Sequence, residues 1–161
     1  MKLYIKRDIH SCNSRFIVLD ELCHEKYTVF SSGKSFEKLK ISDLSGNVKT
    51  KINRLPLPLL HAYSISSGKT NIKFILNPAK NAQNCYYYGI SWHIRGQVFL
   101  KSFDILDVDN SVIAVLSRCF ESCVDGYALT IYREEYEQLC LASAVCANLA
   151  SLSDNPALQT V

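Results

Sequence analysis

Short stretches of alternating apolar and polar residues run along the chain as far as residue 131. Leu3 and Ile5 alternate with Lys2, Tyr4 and Lys6. Arg15-Phe16-Ile17-Val18-Leu19-Asp20 and Tyr27-Thr28-Val29-Phe30 are rich in the β-branched and aromatic residues that suit a pleated surface. Lys38-Leu39-Lys40-Ile41 and Val48-Lys49-Thr50-Lys51-Ile52 repeat with period two, the pattern of a strand with one buried face. Further runs occupy 61–65, 69–75, 86–90, 91–96, 102–106, 112–116 and 126–131. Turn formers separate them at Ser31-Ser32-Gly33-Lys34, Asp43-Leu44-Ser45-Gly46-Asn47, Ser67-Gly68 and Asp107-Val108-Asp109-Asn110, and 77–84 reads as a polar loop. Pro56 and Pro58 interrupt the alternation, so 55–59 is a crossing loop or an edge. About twelve short strands at roughly ten-residue spacing predict a mainly β barrel or sandwich. Closure into a barrel would leave no sheet edge to aggregate.

The pattern then changes. Residues 134–150 contain no Gly or Pro and are rich in Leu and Ala, which predicts a helix. Glu134, Glu135 and Glu137 begin it, where the helix dipole favours negative charge, although Arg133 is a poor N-cap. Beyond Gln138 the segment is apolar on every face and must be enclosed. Its small residues (Ala142, Ser143, Ala144, Cys146, Ala147, Ala150) make a thin rod. A barrel of about twelve strands is too wide to fill with its own side chains, and a helix roughly 10 Å across fits inside it. The expected fold is a closed antiparallel barrel around one buried C-terminal helix. It forms a single domain over 1–152, followed by a flexible tail over 153–161.

Composition supports this reading. The chain has 161 residues, 48% apolar and 20% charged, as in an ordinary globular domain. The apolar stretch at 139–152 is too short to span a bilayer, which needs about 20 residues. The first residues carry no secretory pattern, so a cytoplasmic location is expected, with free rather than disulfide-bonded cysteines. Charge refines the picture further. Residues 26–80 hold ten basic and two acidic groups, a net of +8, whereas 81–161 carry a net of −5. Lys38 with Lys40, Lys49 with Lys51, and Lys69 with Lys73 fall on matching faces of their strands. If those strands are neighbours, the six ammonium groups form one outer patch.

The ordered series resembles the LURP-one-related family, relatives of the Tubby C-terminal domain and, more distantly, of the phospholipid scramblases. The likeness covers residues 2–152. It is carried by Leu3-Tyr4-Ile5-Lys6, Ser14-Arg15-Phe16-Ile17-Val18-Leu19-Asp20, Leu39-Lys40-Ile41-Ser42-Asp43-Leu44-Ser45-Gly46-Asn47-Val48 and Tyr63-Ser64-Ile65. Later segments are Tyr88-Gly89-Ile90-Ser91-Trp92-His93-Ile94-Arg95-Gly96, Phe103-Asp104-Ile105-Leu106-Asp107, Val112-Ile113-Ala114-Val115-Leu116-Ser117-Arg118 and Asp125-Gly126-Tyr127-Ala128-Leu129-Thr130-Ile131, then the helix. Cys12-Asn13 and Ser122-Cys123-Val124 depart from the family's usual Leu-Gly and Trp-Gly. The resemblance implies a twelve-stranded barrel threaded by its helix and no established enzymatic chemistry. In the Tubby branch it also implies binding of phosphoinositide headgroups, although none of that branch's headgroup residues matches individually.

No catalytic constellation is evident. The chain contains no phosphate-binding glycine loop and no nucleophile elbow. Cys119-Phe120-Glu121-Ser122-Cys123 lacks the second ligand pair that zinc needs. His10, His24, His61 and His93 have no thiol partner fixed by spacing. Asp104, Asp107 and Asp109 read as turn residues rather than a calcium loop. No metal and no cofactor is expected. Nucleic acid is not an expected partner, because aromatic residues are not interleaved with the lysines. The expected function is a non-enzymatic binding module, peripheral at a membrane. Lys38, Lys40, Lys49, Lys51, Lys69 and Lys73 would meet an anionic lipid headgroup. The alternative is a protein-interaction scaffold whose partner docks on loops such as 55–59.

Overall fold

The structure, a computed structural model, describes residues 1–8, 14–32, 37–79, 85–121 and 124–153. Expectations for His10, Cys12, Gly33, Lys34, Cys123, residues 80–84 and the tail from 154 fall outside these residues.

Twelve strands form one antiparallel sheet. They are β1 (Lys2–Arg7), β2 (Ser14–Leu19), β3 (Glu25–Ser31), β4 (Lys38–Asp43), β5 (Val48–Leu55) and β6 (His61–Ser67). The series continues with β7 (Thr70–Leu76), β8 (Cys85–Tyr88), β9 (His93–Gln97), β10 (Ser102–Leu106), β11 (Val112–Glu121) and β12 (Val124–Ile131). The order in the sheet is β8-β7-β6-β5-β4-β3-β2-β1-β12-β11-β10-β9. Every sequential pair except β8 and β9 is hydrogen-bonded, and β1 pairs with β12. The sheet therefore curls into a nearly closed barrel whose seam lies between β8 and β9.

Alternation decides which face turns inward. Leu39, Ile52, Ile65 and Ile72 are consecutive cross-strand partners on the inner face, each at most 2% exposed. The residues between them point to solvent. The turns follow from local chemistry. After Asp20, Asp43 and Asp107 the chain makes three-residue connections whose last residue is left-handed: Cys23 (φ 62°), Gly46 (φ 84°) and Asn110 (φ 64°). In the first two, an aspartate Oδ1 accepts two backbone N–H bonds, from Leu22 and His24 and from Ser45 and Asn47. At Ser67-Gly68-Lys69-Thr70 only Gly68 is left-handed, the signature of a two-residue hairpin with glycine first.

After Ile131 a 3₁₀ turn (Glu134–Tyr136) leads into α1 (Glu137–Ser153). Arg133 provides no side-chain cap; its guanidinium instead reaches back to Asp107 and Ser111. From Leu139 to Ala150 every residue is buried, none more than 6% exposed. The helix runs inside the barrel, entering at the rim where β12 ends. Polar residues within it bond to their own helix: Ser143 Oγ to Leu139 O at 2.8 Å and Asn148 Nδ2 to Ala144 O at 2.9 Å. Such i−4 bonds let a polar side chain sit in an apolar lumen without an orphaned donor.

Both ends of the helix are pinned. At its entry Glu137 accepts from Lys26 Nζ at 2.6 Å and from Tyr27 OH at 3.0 Å, and Thr50 Oγ1 donates to Gln138 at 3.0 Å. Near its exit Ser151 Oγ donates to Phe99 O at 3.1 Å. Aromatic rings line the seam. Tyr87 stacks on Phe74 with centroids 4.5 Å apart, meets Trp92 edge-on at 5.5 Å, and Trp92 meets Tyr136 at 5.1 Å. These contacts join β7, β8 and the β8–β9 connection to the helix entry.

Two substitutions test the packing by urea unfolding. Ala144→Leu adds volume to a lumen already filled by helix and inner-face side chains, and should cost about 1–3 kcal/mol. Gly96→Ala should cost a similar amount. Gly96 has φ 113°, and a Cβ there would lie 2.7 Å from Ser102 O. A variant of either kind with unchanged stability would contradict a tightly filled barrel.

Candidate functional site

The basic residues singled out by alternation fall within one stretch of sheet, on the adjacent β4 and β5 and on β7 beyond β6, except that Lys69 lies in a turn and not on its expected strand. Lys38 and Lys40 lie on β4, Lys49 and Lys51 on β5, Lys73 on β7 and Lys69 in the β6–β7 turn. All six are exposed. The register specifies the arrangement on the outer face. Lys40 lies directly opposite Lys51, and Lys51 opposite Ser66. A second row runs Lys38, Asn53, Ser64, Lys73, Tyr88. Lys49 and Lys69 sit at the rim where the helix enters.

The six are not equivalent. Lys49 Nζ lies 3.3 Å from Asp43 Oδ2. Asp43 in turn is held below the usual carboxylate range, chiefly by the hydrogen bond from the Asn47 backbone N–H. Lys38, Lys40, Lys51, Lys69 and Lys73 have no ion pair or hydrogen bond from their side chains among the described residues. Two like charges placed directly opposite on adjacent strands oppose the fold. The wall thus presents five uncompensated ammonium groups on the outside of the barrel. Lys26 belongs to the same basic stretch of sequence, yet it is committed to Glu137 at the helix entry.

Sequence reasoning missed Arg54. It lies at the far rim with Glu37, Leu55, Pro56 and Leu57, where these residues line a cleft of about 410 Å³. Arg54 N donates to Glu37 O at 2.7 Å, which holds the start of β4 against the end of β5. No ion pair engages the Arg54 side chain among the described residues. Its alternation phase is that of the inner face, which is why a search for outward lysines passed over it. Only its place at the barrel end turns it to solvent.

Two expectations need correction. Asp104 is not a turn residue: it lies in β10 and accepts from Arg95 Nε at 2.9 Å and Nη2 at 2.6 Å, a cross-strand pair fixed by register. Asp107 and Asp109 do stabilise their turn, accepting from the backbone N–H of Val108 and Ser111. The cysteines also divide. Cys85, Cys119, Cys140 and Cys146 are free thiols, but Cys23 is disulfide-bonded. It holds the left-handed position of the β2–β3 turn, half-buried against the small cluster of Tyr4, Leu19, Cys119 and Ala128.

Burial suppresses thiol chemistry in the lumen. Desolvation pushes Cys85 and Cys140 up to about 12, and Cys146 well above its ordinary value. Tyr27 is raised to about 12 by desolvation first, then by the charge of Glu137. The nucleophile in thiol chemistry is the thiolate, so these groups stay inert while the barrel is folded. Cys140 and Cys146 should react with an aromatic disulfide reagent near neutral pH only on unfolding, and the burst of release should coincide with loss of tertiary structure. Each raised group favours the folded state below its ordinary value (about 9 for a thiol, about 10 for tyrosine) and loses that contribution as pH rises towards 12. Urea midpoints should therefore fall between about pH 9 and 12; a flat profile would contradict the burial.

Comparisons with known proteins agree with the architecture. A family profile described as LURP-one-related matches residues 1–148. No curated protein matches the chain. Among solved structures, an X-ray structure of a protein from Arabidopsis thaliana is similar with a TM-score of 0.59 at 11% identity, covering 92% of this chain and 90% of that one. At that identity the likeness speaks for the fold alone. With the match spanning the strands and nearly the whole enclosed helix, the chain belongs to the LURP-one-related family.

Proposed function

We propose that the chain is a non-enzymatic binding module that meets an anionic surface through the outer wall of β4 to β7. Phospholipid or phosphoinositide headgroups of a membrane facing the cytoplasm are its most specific form. The observation that carries this reading is the set of unpaired lysines, above all Lys40 directly opposite Lys51. Two ammonium groups forced together repel, and phosphate between them turns that cost into attraction. Each lysine brought near an anionic bilayer contributes about 1 kcal/mol. Five such groups hold a domain of this size at a surface without a built pocket. No helix of the described residues is long and apolar enough to cross a membrane, so the attachment proposed is peripheral.

Co-sedimentation with vesicles tests it. The protein should bind vesicles containing phosphatidylserine or a phosphoinositide, and pure phosphatidylcholine far less. Binding should weaken as salt rises, because screening acts over about 8 Å at physiological ionic strength. The double variant Lys40→Gln/Lys51→Gln removes roughly 2 kcal/mol of attraction, about thirtyfold in partitioning, while leaving stability unchanged or slightly higher. Binding that ignores both salt and this variant would contradict the reading. A single stoichiometric protein partner that survives loss of all six lysines would instead favour an interaction scaffold.

A further inference from the structure

The loop that joins β5 to β6 (residues 56–60) has features that neither the fold nor the lysine wall requires. Its sequence is Pro56-Leu57-Pro58-Leu59-Leu60. Leu57 is 42% exposed and Leu59 is 90% exposed, the highest value among the large apolar residues described as exposed. Leu59 also has φ 63°, a conformation disfavoured for a side chain of that size. A soluble loop gains nothing from holding a leucine in water in a disfavoured conformation.

The backbone here is equally unusual. Pro56 and Pro58 have no N–H, and Leu57 N donates to Leu55 O at 2.9 Å. From Pro56 to Pro58 the loop thus carries no free backbone donor. An unpaired donor is what makes irregular backbone costly in an apolar medium. The prolines also fix the loop in advance, so seating it costs little entropy.

Charge indicates what the loop meets. In the antiparallel order, 56–60 lies at the rim shared with the start of β4. Arg54 precedes it on β5, and Lys38 pairs with Asn53 one residue earlier. Both cations are exposed and lack ion-pair partners among the described residues. Glu37 is the acidic residue lining the same cleft. The opposite rim also exposes apolar residues, Leu22, Leu44 and Val108, but each sits in a turn that begins with an aspartate: Asp20, Asp43 and Asp107. Apolar tips beside cations that lack a partner suit an anionic bilayer interface, whereas at the opposite rim Lys49 and Arg133 are already committed to Asp43 and Asp107.

We infer that Leu57 and Leu59 are an interfacial anchor. The barrel docks on an anionic bilayer at the corner where the lysine wall meets this rim, with both leucines in the headgroup–acyl boundary. Arg54 and Lys38 sit above them at phosphate level, and the 410 Å³ cleft that Arg54 lines with Glu37, Leu55, Pro56 and Leu57 opens towards the lipid. The inference rests on the proposed binding of anionic membranes and adds the docking edge and the depth.

The test places a reporter in the loop. Leu59→Trp is made in the full chain; the natural Trp92 is buried and serves as an internal control in the parent protein. On adding phosphatidylserine vesicles, emission of the variant should shift to the blue, and lipids brominated in the acyl chain should quench it well beyond the parent. The double variant Leu57→Ser/Leu59→Ser should lose on the order of tenfold in partitioning or more, and the loss should persist at high salt. Vesicle binding with no blue shift and no extra quenching overturns the anchor while leaving the lysine wall standing. Absence of vesicle binding by the parent at low salt overturns both. Loss of a protein partner by the serine variant, with vesicle binding retained, overturns the anchor in favour of a protein-docking loop.

Discussion

The structure depends on one enclosure. A helix apolar on all faces from Leu139 to Ala150 cannot contact water, and a single antiparallel sheet surrounds it. Neither part is stable alone. Twelve strands curled without a filling would leave a void, and the helix without walls would expose twelve buried residues. Many small side chains, Ala142, Ser143, Ala144, Cys146, Ala147 and Ala150, let the rod approach the inner face closely. Polar contacts at Glu137, Gln138 and Ser151 set its depth and rotation.

With the interior committed to the helix, function is left to the outer face and the two rims. The inner row of Leu39, Ile52, Ile65 and Ile72 fixes the phase of each strand, and that same phase turns Lys38, Lys40, Lys51 and Lys73 outward. The basic wall is therefore a by-product of register. A one-residue slip in β4 or β5 would bury the lysines and expose the core, so packing locks the charge pattern in place. The rims obey a different logic: their side chains answer to turn chemistry. Aspartates cap the β2–β3, β4–β5 and β10–β11 turns on one rim, where Lys49 and Arg133 pair with Asp43 and Asp107. Arg54 and Lys38 make part of the other basic.

Most of this was legible in the sequence. The twelve strands, the turn aspartates at 43 and 107 and the enclosed helix all follow from period, Gly/Asp chemistry and the absence of a polar helix face. The lysines could be assigned to faces because alternation is a local property. What escaped was set by tertiary context. Arg54 has the phase of an inward residue and is exposed only because its strand ends. Lys26 is spent on Glu137, a partner 111 residues away. Asp104 pairs with Arg95 across a strand pair, which no turn signal reveals. The disulfide at Cys23 contradicts an expectation based on compartment, which is a statement about the cell rather than about the geometry of this loop.

Native-state hydrogen exchange of the backbone amides in α1 tests the enclosure most directly. If the sheet surrounds the helix, amides from Leu139 to Ala150 can exchange only when the barrel opens. They should then share the slowest exchange free energy with the inner strands β4, β5 and β6, and all should shift together with denaturant. Helix amides that exchange by a separate, lower-energy opening while those strands stay protected would show that the helix leaves without the barrel, and would contradict the account.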